Sequence, residues 1–404
     1  MAKVYQVKGL KSLPIAEFSS FGNFKLSSLA DVDFTSYWKK RSRLLTPYAI
    51  DYKQRCAVFV ETSGSAAQLK SAPFLYQAQR DFALRVFSLP FDEVLALDVK
   101  AFDRAENLVF LHSTGRCGST LLCKLLEDTG EVSAISEPDY YTQWAMLDQQ
   151  YGSSLDRRMP AVIEKLTSLL LAELGDDSKK DVVVKLRGVC IHIADQLQQA
   201  HPYAQNIFLY RNAYDTSNSF LGLLNKLAPV RAAKNFSLDR LPVYWLGKLP
   251  LVRNKVVLFA PLILDARYKG IAGVGAVLAL SWLSKMNRAL RLMQDYPHFF
   301  VCAVRYEDLL QDPSRLICAL VPLIGGHRPD YFASLKMRKT MTSNSQQGSD
   351  VESDGKYRLD KQDIEVINRV LSKHDIINHA HYVLPNTLTT ASNIVSDKAL
   401  AANA

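Results

Sequence analysis

From Asn107 onward the chain alternates short apolar runs with segments of helical period, and this restricts the fold more than any other feature. Asn107-Leu-Val-Phe-Leu-His112, Asp181-Val-Val-Val-Lys185, Asn206-Ile-Phe-Leu-Tyr210 and Phe299-Phe-Val-Cys-Ala-Val304 read as strands. Residues 120–127, 159–174, 191–200, 279–294 and 360–373, and a segment from about Asp215, read as helices. Such alternation predicts an α/β chain: a three-layer sandwich whose central parallel sheet is covered on both faces. Ligands of such sheets bind outside the carboxyl ends of the strands. The turns after Leu111, Val184 and Tyr210 are therefore where chemistry is expected.

The first of these turns is Ser113-Thr-Gly-Arg-Cys-Gly-Ser-Thr120. Gly115 and Gly118 permit tight backbone and close ligand approach. A helix starting near Ser119 turns its free N–H groups and positive dipole end toward the turn. Ser119 and Thr120 add hydroxyl donors, and Arg116 adds a fixed charge. Residues 114–120 thus form a cradle for a phosphate-like group. A Walker A loop needs a Lys after its last glycine, and none follows Gly118. A cysteine phosphatase loop needs an Arg where Cys123 stands, and a GxGxxG fingerprint is absent.

Ahead of this region, residues 55–62 read as a strand and 73–86 as a helix with Phe74, Gln77, Phe82, Ala83 and Val86 on one face. Expected boundaries are an N-terminal extension over 1–104 packing on the core, a main domain over 105–385 and a polar tail over 386–404. Lys and Arg outnumber Asp and Glu by 49 to 40 in 404 residues. This suits an anionic ligand but offers no arm for nucleic acid. The densest basic cluster, Lys39-Lys40-Arg41-Ser42-Arg43, follows Tyr37 and Trp38. Six cysteines without a CxxC pair make neither a disulfide framework nor a zinc site. The start lacks a signal peptide's apolar core, and the apolar stretch 271–283 is too short for a transmembrane segment. The expected location is cytoplasmic, and no oligomeric state is assigned.

Three segments resemble the superfamily of sulfotransferases that use 3′-phosphoadenosine-5′-phosphosulfate (PAPS). Arg116-Cys-Gly-Ser-Thr120 is similar to the family's 5′-phosphosulfate loop, with Cys117 in place of the usual Ser; the arginine form is closer to the Golgi-type and bacterial branches. Arg211-Asn-Ala-Tyr-Asp215 with Ser219 is similar to the 3′-phosphate signature, with Ala213 in place of the common Pro. Arg305-Tyr-Glu-Asp-Leu with Asp312-Pro313 resembles a third family segment. The resemblance implies a P-loop-NTPase-like sulfotransferase fold and PAPS as co-substrate, with no metal. Thr114, Gly115, Arg116, Cys117, Gly118, Ser119 and Thr120 would hold the phosphosulfate, and Arg211 and Ser219 the 3′-phosphate.

For catalysis, the resemblance implies that Arg116 stabilises the leaving phosphate, joined by Lys185 at the end of its strand, with Arg187 as rival. Glu137 lies 21 residues after Arg116, a spacing close to that of the catalytic Glu in tyrosylprotein sulfotransferases. It is the candidate general base, or else a loop carboxylate that orients Arg116. His192 reads as a packed or surface helix histidine. Cys117, at a helix start where a thiol pKa can fall, reads as a backbone contributor and not a nucleophile. The apolar segment 222–275 occupies the place that often covers the acceptor, which would be a small apolar alcohol or phenol, or a carbohydrate. Two other readings stay open: a P-loop kinase-like nucleotide phosphotransferase, and a non-catalytic sulfotransferase-like binding protein.

Overall fold

Residues 1–98 contain five strands, β1 (Lys3–Leu10), β2 (Phe24–Ser28), β3 (Leu45–Asp51), β4 (Cys56–Thr62) and β5 (Ala83–Pro90); β3 and β4 are almost wholly buried, whereas β1 and β2 are largely not. In the computed structural model, which describes residues 1–11, 18–98, 107–175, 181–224, 242–342 and 358–389, they form an antiparallel sheet of order β2-β1-β5-β4-β3. The helix expected over 73–86 ends early: Leu75–Asp81 is helical, and Ala83–Pro90 is the central strand β5. Apolar residues on one helical face were outweighed there by pairing on both sides, with β1 and with β4. Helical propensity yields where two neighbours each supply a ladder.

The edge strand β3 is protected by side chains. The N–H of Ile50 donates to Gln143 Oε1 at 2.5 Å, on the helix Asp139–Tyr151. The N–H of Leu45 donates to Glu173 Oε2 at 3.2 Å, on the helix Met159–Leu174. Pro47 lies in the same strand, as suits an edge. These helices belong with the first sheet: Met1–Leu108, Ser133–Leu186 and Ile193–Ala204 form one compact unit, and Val109–Val132, Arg187–His192 and Gln205–Ala404 form a second. The boundary expected at residue 104 lies outside the described residues, as does the tail from residue 390.

The second sheet is the central parallel sheet of an α/β fold. Its strands are β6 (Leu108–Ser113), β7 (Val132–Ser136), β8 (Asp181–Lys185), β9 (Gln205–Tyr210) and β10 (Cys302–Arg305), in the order β10-β9-β6-β8-β7. Every residue of β6, β7 and β8 is buried, which requires cover on both faces. Register sets Ser113 beside Leu209 and Val304 beside Leu209, so β6, β9 and β10 end level with one another.

A C-terminal segment finishes the β10 edge. Ala303 N–H donates to Asn386 O at 2.9 Å and Leu388 N–H to Ala303 O at 2.7 Å. Tyr210 and Thr387 share a hydroxyl bond of 2.9 Å. On the second unit the helix Val274–Asp295 packs closely on the helix Lys361–Leu371, with Gly275 at the contact: a Cβ there would stand 2.9 Å from Asp363 O. Gly275→Ala gains about 1 kcal/mol of helix propensity and incurs about 1–3 kcal/mol of overpacking. Because the obstacle is backbone, the loss prevails; a fall in the urea midpoint of unfolding checks it.

Candidate functional site

The second unit brings three motifs to the level ends of β6, β9 and β10. The turn after β6 crosses left-handed backbone at Gly115 (φ +77°), Arg116 (φ +55°) and Gly118 (φ +85°) before the helix Ser119–Glu127 begins. A non-glycine residue there is strained and persists only when its surroundings hold it. Arg116 is held: its Nε donates to Ser219 Oγ at 2.9 Å. Thr114 N–H donates to Leu209 O at 3.1 Å, anchoring the turn on the neighbouring strand. Gly188 closes over it, where a Cβ would meet Ser113 O at 2.9 Å and Gly115 N at 3.0 Å.

Cys117 faces inward. Its Sγ lies 3.4 Å from Leu209 O, and burial pushes the thiol pKa up. This corrects the expectation of a lowered pKa at a helix start: desolvation outweighs the helix dipole when the side chain points into the sheet. Only the backbone of Cys117 can serve a ligand in the turn.

The turn after β9 is clamped from several sides. Asn212 Oδ1 accepts from Asp215 N–H at 2.9 Å at the start of the helix Ala213–Leu224. Glu307 Oε1 accepts from Asn212 N–H at 2.9 Å and from Nδ2 at 2.6 Å. Arg211 O accepts from Trp282 Nε1 at 2.8 Å. Ala213 donates its N–H to Ala380 O at 2.9 Å. A proline at 213 could not make that bond.

Arg211 pairs with Asp215 at 3.1 Å and lies 4.8 Å from the centre of the Tyr306 ring. Its Nε is buried without a hydrogen-bond partner. The same Tyr306 ring fills the space over Gly118, where a Cβ would approach it to 2.2 Å. Tyr306 therefore touches both basic turns, and Ser219, nearly two turns along the helix Ala213–Leu224, meets Arg116 of the first turn. The fit to a doubly anionic ligand rests on this chain's own groups: an unpartnered guanidinium nitrogen, a second arginine one strand away, and a backbone turn that only glycine allows at 118.

The first unit holds Glu137 and Lys185 together. Glu137 follows β7 with φ +56°, and its N–H donates to Lys185 O at 2.8 Å. The Lys185 ammonium is 3.1 Å from Glu137 Oε1, with only 1% of its side chain exposed. It lies 4.8 Å from the Phe74 ring and 3.4 Å from Pro73 O. A buried ammonium needs such a partner.

Sequence reading missed Lys285. It lies within the apolar helix Val274–Asp295, its Nζ 2.6 Å from Ser281 Oγ and 3.0 Å from Ser281 O. Burial pushes its pKa down to about 7, offset in part by Cys117. Its signal was a lone charge inside an apolar helical run. His192, in the 3₁₀ segment Gly188–Ile193, is packed: burial, and then Lys285 and Arg288, push its pKa down to about 3.

Two outcomes follow. Gly118→Ala, strained by φ +85° and blocked by Tyr306, should displace the ring and weaken ligand binding at both turns, as calorimetry would register. The depressed Lys285 pKa makes the unfolded chain bind more protons between pH 7 and the ordinary lysine value of 10.5. Stability from this group is present above that window, declines as pH falls through it, and is fully lost below pH 7. Lys285→Met should therefore stabilise the protein more at pH 6 than at pH 10, measured by thermal unfolding.

No family model matches the chain, and no curated protein matches it. Its structure is similar to those of solved sulfotransferases. Against a sulfotransferase from Alicyclobacillus acidocaldarius it is 11% identical with a TM-score of 0.35, covering 68% of this chain and 96% of that one. Against sulfotransferase STF9 from Mycobacterium avium the values are 13% and 0.38, covering 70% and 79%. Against mouse sulfotransferase SULT7A1, solved with PAP, they are 13% and 0.34, covering 70% and 88%. Among the described residues no helix is long and apolar enough to cross a membrane.

Proposed function

We propose that this chain transfers a sulfuryl group from PAPS to a hydroxyl group of a small-molecule or carbohydrate acceptor. The observation that carries the reading is the meeting of the two basic turns in the second unit: Arg116 bonded to Ser219, and Tyr306 touching both Gly118 and Arg211. Strand neighbours stand about 4.8 Å apart, so two anion-holding turns on adjacent level strands suit the two charged ends of one donor. When bound, PAPS would supply the sulfuryl group and a phosphate leaving group.

In this reading, the N–H groups of residues 114–120 and the Arg116 guanidinium hold the phosphosulfate. Arg116 also faces the negative charge that grows on the leaving oxygen, where fixed donors are worth most. Arg211, freed from Asp215, and the Ser219 hydroxyl take the 3′-phosphate. Glu137 is the proposed base for the acceptor proton, and Lys185 the cation that holds its carboxylate or assists at the leaving oxygen. Part of the proposed acceptor cover, residues 225–241, lies outside the described residues.

Calorimetric titration with 3′,5′-adenosine bisphosphate is expected to give tighter binding than ATP with Mg²⁺, and Arg211→Ala should weaken it about tenfold or more, as loss of a charge-assisted bond does. Tighter ATP binding, or an unchanged Arg211→Ala affinity, would refute the proposal. Arg116→Ala should abolish transfer. Glu137→Gln should lower turnover by about 10²–10⁴ with bisphosphate affinity spared. Because it also leaves Lys185 unpaired, Glu137→Gln/Lys185→Met is the control: it should recover stability but not turnover.

A further inference from the structure

The densest basic cluster in the sequence plays no part in the reading above, and it lines a cavity. Within the first unit, Tyr37, Lys40, Arg41, Ser42, Arg43, Glu61 and Arg85 line an open cleft of about 320 Å³. That volume is within the usual range of small-molecule sites, about 300–1,000 Å³, yet its lining has no aliphatic side chain. Four cations face one carboxylate.

Most of the opposing charge is already engaged. Glu61, 4% exposed, accepts from the Tyr37 hydroxyl at 2.6 Å and lies 3.5 Å from Arg85. Arg85 in turn donates to the Tyr37 oxygen at 2.8 Å. Arg41 is fixed over the Trp38 ring at 4.0 Å and pairs with the buried Glu173. Among the described residues, Lys40 and Arg43 have no ion-pair partner. Arg41 and Arg85 are thus immobilised by packing and hydrogen bonds, while Lys40 and Arg43 bring uncompensated charge to the rim. Fixed guanidinium groups with free cations at the mouth suit a tetrahedral oxyanion. The exposed Ser42 hydroxyl at the rim suits a hydroxyl group of a hydrophilic body attached to it.

We propose that this cavity binds a sugar carrying a phosphate or sulfate monoester. The site lies wholly in the first unit and does not depend on the transferase reading. Its test is calorimetric titration of the full chain with glucose 6-phosphate and glucose 6-sulfate, with glucose as the uncharged control. Saturable binding of either ester but not of glucose is expected, and the preferred ester tells which oxyanion the site takes. Lys40→Gln/Arg43→Gln should weaken that binding about tenfold or more; both side chains are exposed, so the unfolding midpoint should stay unchanged. Arg211→Ala, which impairs the turn after β9, should leave it intact. Failure of both esters to bind, equal binding by the double variant, or loss of binding in Arg211→Ala instead would overturn the proposal.

Discussion

Parallel pairing of β6 with β9 and of β9 with β10 is the constraint on which the second unit depends. β6 and β9 each end in a turn that carries an arginine, and neither turn is held by its own sequence alone. The first borrows a carbonyl from Leu209 and a hydroxyl from Ser219; the second borrows a carboxylate from Glu307 and a ring from Tyr306. Level strand ends make these loans short. A register slip of one residue would reverse which face each side chain occupies and would separate the partners. Preorganisation of this kind matters for any reaction whose catalysis is mainly positioning and electrostatics, because the arrangement is fixed before the ligand arrives.

Much of this was legible in the sequence, for identifiable reasons. Strands buried on both faces appear as uninterrupted apolar runs, so β6, β8 and β9 could be placed to within a residue or two, and the helix Met159–Leu174 announced itself by period. The basic turns were visible because glycine, arginine and hydroxyl residues cluster where a strand gives way to a helix. The first sheet was less visible. Its strands β1 and β2 are only partly buried, and β5 has a pattern that also fits a helix; long-range pairing decided it. Tyr306 was seen within a motif, but its role as a ring shared by two turns depends on tertiary contact. Lys285 could have been flagged as a charge out of place with Ser281 one turn before it, although nothing local reveals that the Phe259 carbonyl also accepts a hydrogen bond from it.

The two buried lysines illustrate different solutions to one problem. Lys185 retains a carboxylate partner beside an aromatic face, and the residue that supplies the carboxylate occupies left-handed backbone to do so. Among the described residues Lys285 is bonded to neutral oxygens and lies 5.8 Å from the Phe220 ring, and its proton is held weakly. A charge that is both buried and unmatched costs stability.

The bond from Ala213 to the carbonyl of Ala380 spans most of the second unit's length in sequence, and the stretch around Asn386 and Thr387 seals β10 as an added strand would. On the ribosome, the turn that carries Arg211 therefore emerges long before the residues that complete it. Until about 170 further residues have been made, an amide at the head of that helix and the outer ladder of β10 stand open to water or to a neighbouring chain. Assembly of this half must be late and all at once, and a ribosome that stalls short of residue 380 would release a sheet with a sticky margin.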